Sequence, residues 1–221
     1  MFAELAPECA GRIDAMCNGV DADFFEPESA RQSPFPAGEK AVVFTGAMDY
    51  WPNVDGVTWF VTSVLPHLRL LGVPMRFYIV GRAPAAAVLA LAGTDVVVTG
   101  TVADVRPYLQ YAAVIVAPLR VARGIQNKIL EAMAMGKAVV ASEACAAALD
   151  ALRDRDYLAA GTAEEFAGRV GELLNAPERA ATIGTAAREA VLAQYSWTAH
   201  LRGIDAYLDD ENLPRAAMGQ A

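Results

Sequence analysis

The stretch "AVVFTGAMDYWPNVDGVTWFVTSVLPHLRLLGVPMRFYIV", residues 41 to 80, places a short apolar run on each side of a longer amphipathic segment. "AVVFT" (41 to 45) and "RFYIV" (76 to 80) are rich in β-branched and aromatic residues and read as buried strands, while Asn53 to Leu70 between them reads as a helix. Strand, helix and strand in that order form a βαβ unit, whose two strands lie parallel. The same alternation continues downstream. Strands are expected at "DVVVT" (95 to 99), "AVIVA" (113 to 117), "AVVAS" (138 to 142) and "YLAA" (157 to 160), with helices at Pro84 to Leu91, Asp104 to Tyr111 and Gln126 to Met135. Three further helices follow, at Ala163 to Leu174, Pro177 to Gln194 and Ser196 to Asp209. Asp104 is a candidate N-cap, and Pro84 and Pro177 suit first-turn positions. The expected fold is α/β: a Rossmann-like, doubly wound, mostly parallel six-stranded sheet with helices on both faces and a helical C-terminal third.

With 221 residues and 55% hydrophobic composition, the chain has material for one large α/β domain. Its 26 acidic and 18 basic residues give a formal charge of −8, which argues against nucleic acid as a partner. No apolar run reaches the roughly eighteen residues of a spanning helix, and no secretory signal pattern opens the chain, so a cytoplasmic protein is expected. Cys9, Cys17 and Cys145 are odd in number and lack the paired spacing of a zinc site, so they read as reduced, structural thiols, and no metal cluster is evident. Residues 1 to 40 break the pattern with prolines and the turn dipeptide Asn18-Gly19; they read as an entry strand and a linker, as if another domain preceded them.

Ligands of a doubly wound sheet bind beyond the carboxyl ends of the strands. Five loops are therefore expected to line one crevice: "TGAMDYWPN" (45 to 53), "GRAP" (81 to 84), "TGTVAD" (99 to 104), "PLRVARGIQNK" (118 to 128) and "SEAC" (142 to 145). The fourth is the most informative. Gly124 allows close backbone approach, and the amides of Gly124, Ile125, Gln126 and Asn127 read as donors at a helix start, backed by the positive end of the macrodipole. A phosphate or diphosphate fits there, with Arg120, Arg123 and Lys128 adding charge. Glu131 follows Lys128 on the same helical face, where a carboxylate accepts hydrogen bonds from ribose hydroxyls; a solvated Lys128 and Glu131 pair accounts for these two residues equally well. The first strand is not followed by G-x-G-x-x-G and no P-loop occurs, which argues against a dinucleotide oxidoreductase and an ATPase. His67 and His200 read as surface or packing residues.

Several motifs in order resemble a known family. "CNGVDADFF" (17 to 25), "VVFTGAMDYWPNVDG" (42 to 56), "FYIVGRAP" (77 to 84), "VVVTGTVADVRPYLQYAAVIVAP" (96 to 118), "KILEAMAMGKAVVAS" (128 to 142) and "YSWTAHLRGIDAYL" (195 to 208) are similar to the C-terminal, donor-binding domain of GT-B glycosyltransferases of family four, the group 1 glycosyl transferases. The resemblance implies that residues 1 to 40 are the linker and a remnant of the acceptor-domain side, 41 to 195 the nucleotide-sugar donor domain, and 196 to 221 a helix crossing back to a missing N-terminal domain, with a tail. It implies Glu131 at the ribose, Gly100, Thr101 and Val102 against the base, Gly46 beside the diphosphate, and Arg82 among the donor-binding residues.

Two positions depart from the family. Arg123 stands where an earlier signature glutamate is common, and the usual arginine and lysine after the first strand are replaced, with Asn53 near the lysine's place. Arg120, Arg123 and Lys128 are therefore expected to neutralise the diphosphate, with Arg123 and Lys128 stabilising the leaving group. The implied reaction is metal-free transfer of a sugar, with retention, from a UDP- or GDP-sugar to a glycan or lipid-linked acceptor. The variant loop resembles a subfamily linked to bacterial exopolysaccharide or cell-surface glycan synthesis, acting in the cytoplasm or peripherally at the inner membrane face through the missing domain. Without that domain the chain is expected to bind donor weakly and not to transfer. A non-catalytic nucleotide-sugar-binding module and a GT-B-shaped sugar-nucleotide epimerase are the alternatives.

Overall fold

The computed structural model describes residues 18 to 208 and the isolated positions 5 and 7, with side chains up to residue 202. Cys9, Cys17 and the side chain of Tyr207 lie outside the described residues.

Six strands form one sheet: β1 (Ala41–Thr45), β2 (Arg76–Val80), β3 (Val96–Gly100), β4 (Val114–Ala117), β5 (Val139–Ser142) and β6 (Leu158–Ala160), in the order β3-β2-β1-β4-β5-β6. Every pairing is parallel, so the sheet is wholly rather than mostly parallel. β1, β4, β5 and β6 are buried along their whole length, which explains their continuous apolar sequences. The chain steps outward from β1 to β3, returns to the middle, then steps the other way from β4 to β6. Right-handed crossovers running in opposite directions fall on opposite faces, and the β1/β4 junction becomes the switch point where a crevice opens.

The first crossover runs through α1 (Trp51–Trp59), a π turn (Phe60–Val64) and α2 (Leu65–Leu70). Pro66 has no N–H, and just before it the Leu65 amide bonds the Phe60 carbonyl five residues back, so the ladder shifts register there. α3 (Ala86–Leu89) is short and begins after Pro84, which lies in the preceding loop rather than in the first turn. α4 (Arg106–Tyr111) has Val105 at the cap; Asp104 acts one step earlier, its carboxylate accepting from the Arg106 amide at 2.9 Å. α5 (Asn127–Ala134) and the four-residue α6 (Glu143–Ala146), the latter absent from the expected helices, flank β5. α7 (Ala163–Asn175) opens with a capping box between Thr162 and Glu165, and α8 (Pro177–Ala190) carries its proline in the first turn. A second π turn (Val191–Tyr195) leads to α9 (Trp197–Leu208).

Phe44, Phe60, Phe77 and Phe166 are fully buried, with the Phe60 ring 4.3 Å from Phe77 and 5.9 Å from Phe166. Each such ring stabilises the fold by roughly 1.5–3 kcal/mol relative to exposure. The expected entry strand is not formed in residues 18 to 40, whose only pairing is an isolated bridge from Val20 to Ser196. This segment still joins the core: Val20, Ala22 and Phe35 are buried, and Phe35 stands 4.7 Å from the Tyr78 ring. Among the described residues no helix is long and apolar enough to cross a membrane.

Candidate functional site

A crevice of about 620 Å³ opens at the carboxyl ends of the strands. β1 and the loop after it contribute Thr45, Gly46, Ala47 and Tyr50, with Asn53 from α1; β2 and its loop contribute Val80, Gly81 and Arg82. Residues 101 to 105 follow β3, α5 presents Gln126 to Lys128 and Glu131, and Phe24 closes the outer wall.

The loops after β1 and β2 meet backbone to backbone. A Cβ on Gly81 would lie 1.7 Å from the Gly46 carbonyl oxygen, and one on Gly46 would lie 2.7 Å from Asn53 Nδ2 and 2.9 Å from Lys128 Nζ. The space Gly46 leaves is thus filled from within: Asn53 donates through Nδ2 to the Ala47 carbonyl at 2.8 Å and accepts from Lys128 Nζ at 2.6 Å. The ammonium also lies 4.1 Å from the centre of the Phe44 ring. Burial pushes the Lys128 pKa down to about 8, opposed by the nearby Cys145 and Glu131. Burial raises the carboxyl of Glu131, with Lys128 pulling it back down. The Glu131 side chain makes no hydrogen bond or ion pair among the described residues. Thr45 is buried, and its hydroxyl is the one buried side-chain oxygen or nitrogen among them without a partner.

The structure therefore brings together Gly46, Asn53, Arg82, Thr101, Val102, Gln126, Asn127, Lys128 and Glu131 of the expected residues. Others fall elsewhere. Arg120 turns to Asp55, with its Nε 2.9 Å from Oδ2, and does not line the crevice. Arg123 is exposed in a neighbouring depression. α5 begins at Asn127, so Gly124 (φ +65°) and Ile125 precede the helix and stay off the crevice wall. Gly100 lies behind it, its carbonyl accepting from the Gly81 amide at 3.3 Å. The fifth loop is also excluded: the Ser142 hydroxyl donates to the Leu119 carbonyl and accepts from the Cys145 amide, and Glu143 pairs with Arg153. His67 and His200 do not line the crevice. Cys145 is a buried free thiol.

Thr45, Tyr50, Gly81, Asp104 and Phe24 line the crevice without having been singled out as site residues. The strand-end rule alone points to Thr45 and Gly81. Phe24 comes from the segment before the sheet, with the Arg106 guanidinium 4.1 Å from its ring centre and Asp104 bonded to the same guanidinium. No local signal marks it. Asn18 holds that segment against α5, donating to the Asn127 side chain at 3.0 Å and to the Ile125 carbonyl at 3.4 Å.

Among solved structures, sucrose-phosphate synthase from Thermosynechococcus elongatus matches with a TM-score of 0.71 at 20% identity, over 87% of this chain and 51% of that one. Anabaena HepE in complex with UDP and glucose matches with 0.69 at 18%, over 88% and 56%. The C-terminal domain of a glycosyl transferase group 1 family protein, LpcC from Francisella tularensis, matches with 0.65 at 18%, over 81% of this chain and 100% of that one. The chain thus spans about half the length of the first two, and the whole of the isolated domain. At these identities the likeness establishes the fold, that of one half of a GT-B molecule. A comparison with curated protein sequences finds no match. The family model described as glycosyl transferases group 1 covers residues 39 to 176, more than half of the chain, and the chain belongs to that family.

Proposed function

We propose that this chain is the donor-binding half of a glycosyltransferase that moves a sugar from a nucleoside-diphosphate sugar to an acceptor hydroxyl. The observation that carries this reading is Glu131, a half-buried carboxylate without a partner among the described residues, one helical turn beyond Lys128 in a crevice at the β1/β4 switch point. A partly desolvated carboxylate without protein donors is suited to accept the two hydroxyls of a ribose. Lys128, the start of α5 and Arg82 at the rim supply the positive field for the diphosphate. Val102, Ala103, Val105 and the Phe24 ring form the more apolar end, suited to a base.

In the reaction, the bond between the anomeric carbon and the diphosphate oxygen breaks, a bond to the acceptor oxygen forms, and the acceptor's proton passes to the departing diphosphate. Negative charge grows on the departing diphosphate. Lys128, already desolvated and held by Asn53, stabilises that charge without further reorganisation. The reading is of a retaining transfer that needs no metal, with a UDP- or GDP-sugar as donor and a glycan or lipid-linked acceptor held by an N-terminal domain. A role in bacterial exopolysaccharide or cell-surface glycan synthesis accords with the resemblance of the "PLRVARGIQNK" loop. The solved HepE complex with UDP and glucose supports the choice of donor class.

The test is calorimetric titration of the chain with UDP-, GDP-, ADP- and TDP-sugars, repeated on Glu131→Ala with the tightest. At least one donor should bind, and the substitution should weaken it by about tenfold or more. Unchanged binding by Glu131→Ala would remove the ribose assignment.

A further inference from the structure

We propose that the depression beside the crevice receives the sugar of the donor, and that Arg123 selects a sugar bearing a carboxylate. The inference rests on the donor reading above. The depression, of about 360 Å³, is lined by Tyr50, Trp51 and Pro52 at the start of α1 and by Val121, Ala122, Arg123 and Gln126 of the loop after β4. Tyr50 and Gln126 also line the main crevice, so the two spaces share a wall on the side where α5 begins. A diphosphate at that helix start would lie beside this shared wall.

Three features of the depression fit an anionic pyranose. Tyr50 and Trp51 are 57% and 59% exposed, far more than rings that serve packing, and offer flat apolar faces to a sugar ring. Arg123 has no ion pair among the described residues, whereas Arg120, in the same loop, is held by Asp55. The loop that carries Arg123 is held in place: the Gln126 side chain donates to the carbonyls of Arg123 and Gly124, at 3.4 and 3.2 Å. In a chain with 26 acidic and 18 basic residues, a guanidinium without an ion pair among the described residues, beside two open rings, is available to a carboxylate of the ligand. A neutral hexose would leave that guanidinium unmatched.

The experiment compares binding of UDP, UDP-glucose and UDP-glucuronate, and of GDP, GDP-mannose and GDP-mannuronate, to the full chain by amide chemical-shift titration. The acidic sugar nucleotide should bind about three- to tenfold more tightly than its neutral counterpart, the range of a partly exposed ion pair. Arg123→Ala should abolish that preference and Arg123→Lys should restore part of it; as an exposed loop residue, Arg123 should accept both changes without loss of the native spectrum. If a nucleoside diphosphate binds but the acidic sugar gains nothing, or the gain survives Arg123→Ala, this inference is overturned while the donor reading stands. If neither UDP nor GDP binds, the donor reading fails and takes the inference with it.

Discussion

The chain's three lysines sit at opposite ends of the sheet and meet opposite ends of helices. At the amino ends, Lys40 donates to the Leu174 carbonyl in the last turn of α7, at 2.8 Å, and Lys137 donates to the Gln110 carbonyl in the last turn of α4, at 3.0 Å. Both cations complete the negative end of a helix. At the carboxyl ends Lys128 occupies the first turn of α5, where the macrodipole opposes a cation and burial opposes its charge. The amino ends also hold a cavity, of about 460 Å³, but the lysines that line it already have carbonyl partners. The difference lies in the neighbours rather than in charge alone: at the amino ends each cation completes a helix end, while at the carboxyl ends Lys128, held by the neutral Asn53 amide, stands beside the Glu131 and Thr45 side chains, which have no hydrogen-bond partner among the described residues.

Both ends are closed by contacts between glycine backbones, and breaking these should have the largest effects. A Cβ at Gly81 would fall 1.7 Å from the Gly46 oxygen, and one at Gly184 would fall 2.0 Å from the Gly136 oxygen. Gly81→Ala and Gly184→Ala should each destabilise the chain by about 3 kcal/mol in thermal melts, against under about 1 kcal/mol for Gly93→Ala, where the space is open. Where the variants still fold, only Gly81→Ala should weaken donor binding. Equal losses of affinity at both ends would show that the two ends are mechanically coupled and would break the contrast.

The lysines give the next largest effect. Lys128→Met should reduce donor affinity by about tenfold or more while changing the melting midpoint little, because removal of a desolvated charge offsets the loss of the donor to Asn53 Oδ1. Lys137→Met should leave affinity as it is and lower stability by about 1 kcal/mol, because the Gln110 carbonyl loses its donor.

A pH series separates the same two roles with a smaller signal. With the folded-state pKa of Lys128 depressed to about 8, the ammonium is present below that pH and is lost as pH rises through it. Donor affinity should therefore hold below pH 8 and fall above it, by about tenfold per unit at most. Stability moves the other way. Between pH 8 and the value of about 10.4 for an unfolded lysine, the unfolded chain binds more protons, so this group's contribution to folding stability grows with pH. At the acid end the raised carboxyl of Glu131 should weaken binding as it protonates. A Lys128→Met protein that kept the alkaline fall in affinity would assign that fall to another group.

How much of this was legible in the sequence follows from what local pattern encodes. The strands were legible to within a residue, because strands buried on both faces must be continuously apolar. The four-residue α6 and the two π turns carry no period long enough to read. At the site, Gly46, Asn53, Arg82 and Lys128, in loops that the strand-end rule selects, and Glu131, singled out by its helical face and by the family resemblance, lie on the crevice wall. Arg120 and Arg123 did not: closeness in a loop says nothing about direction, and Arg120 is drawn away by Asp55, 65 residues earlier in the chain. Phe24 escaped because its place depends on the path of the segment before the sheet.

Arg120 gives the smallest expected effect and sharpens the comparison most narrowly. It lies in the loop after β4, at the carboxyl end, yet its charge is already paired with the Asp55 carboxylate, whereas the partners of Lys128 are the neutral Asn53 amide and the Phe44 ring. If ion pairing rather than location decides which cations serve the ligand, Arg120→Ala should behave as a surface-pair deletion, losing under about 1 kcal/mol in a denaturant melt, with the loss shrinking further at high salt. Its effect on donor affinity should be well below that of Lys128→Met in the same titration. An affinity loss equal to that of Lys128→Met would mean that the pair with Asp55 opens when donor binds, and that location had been the better guide.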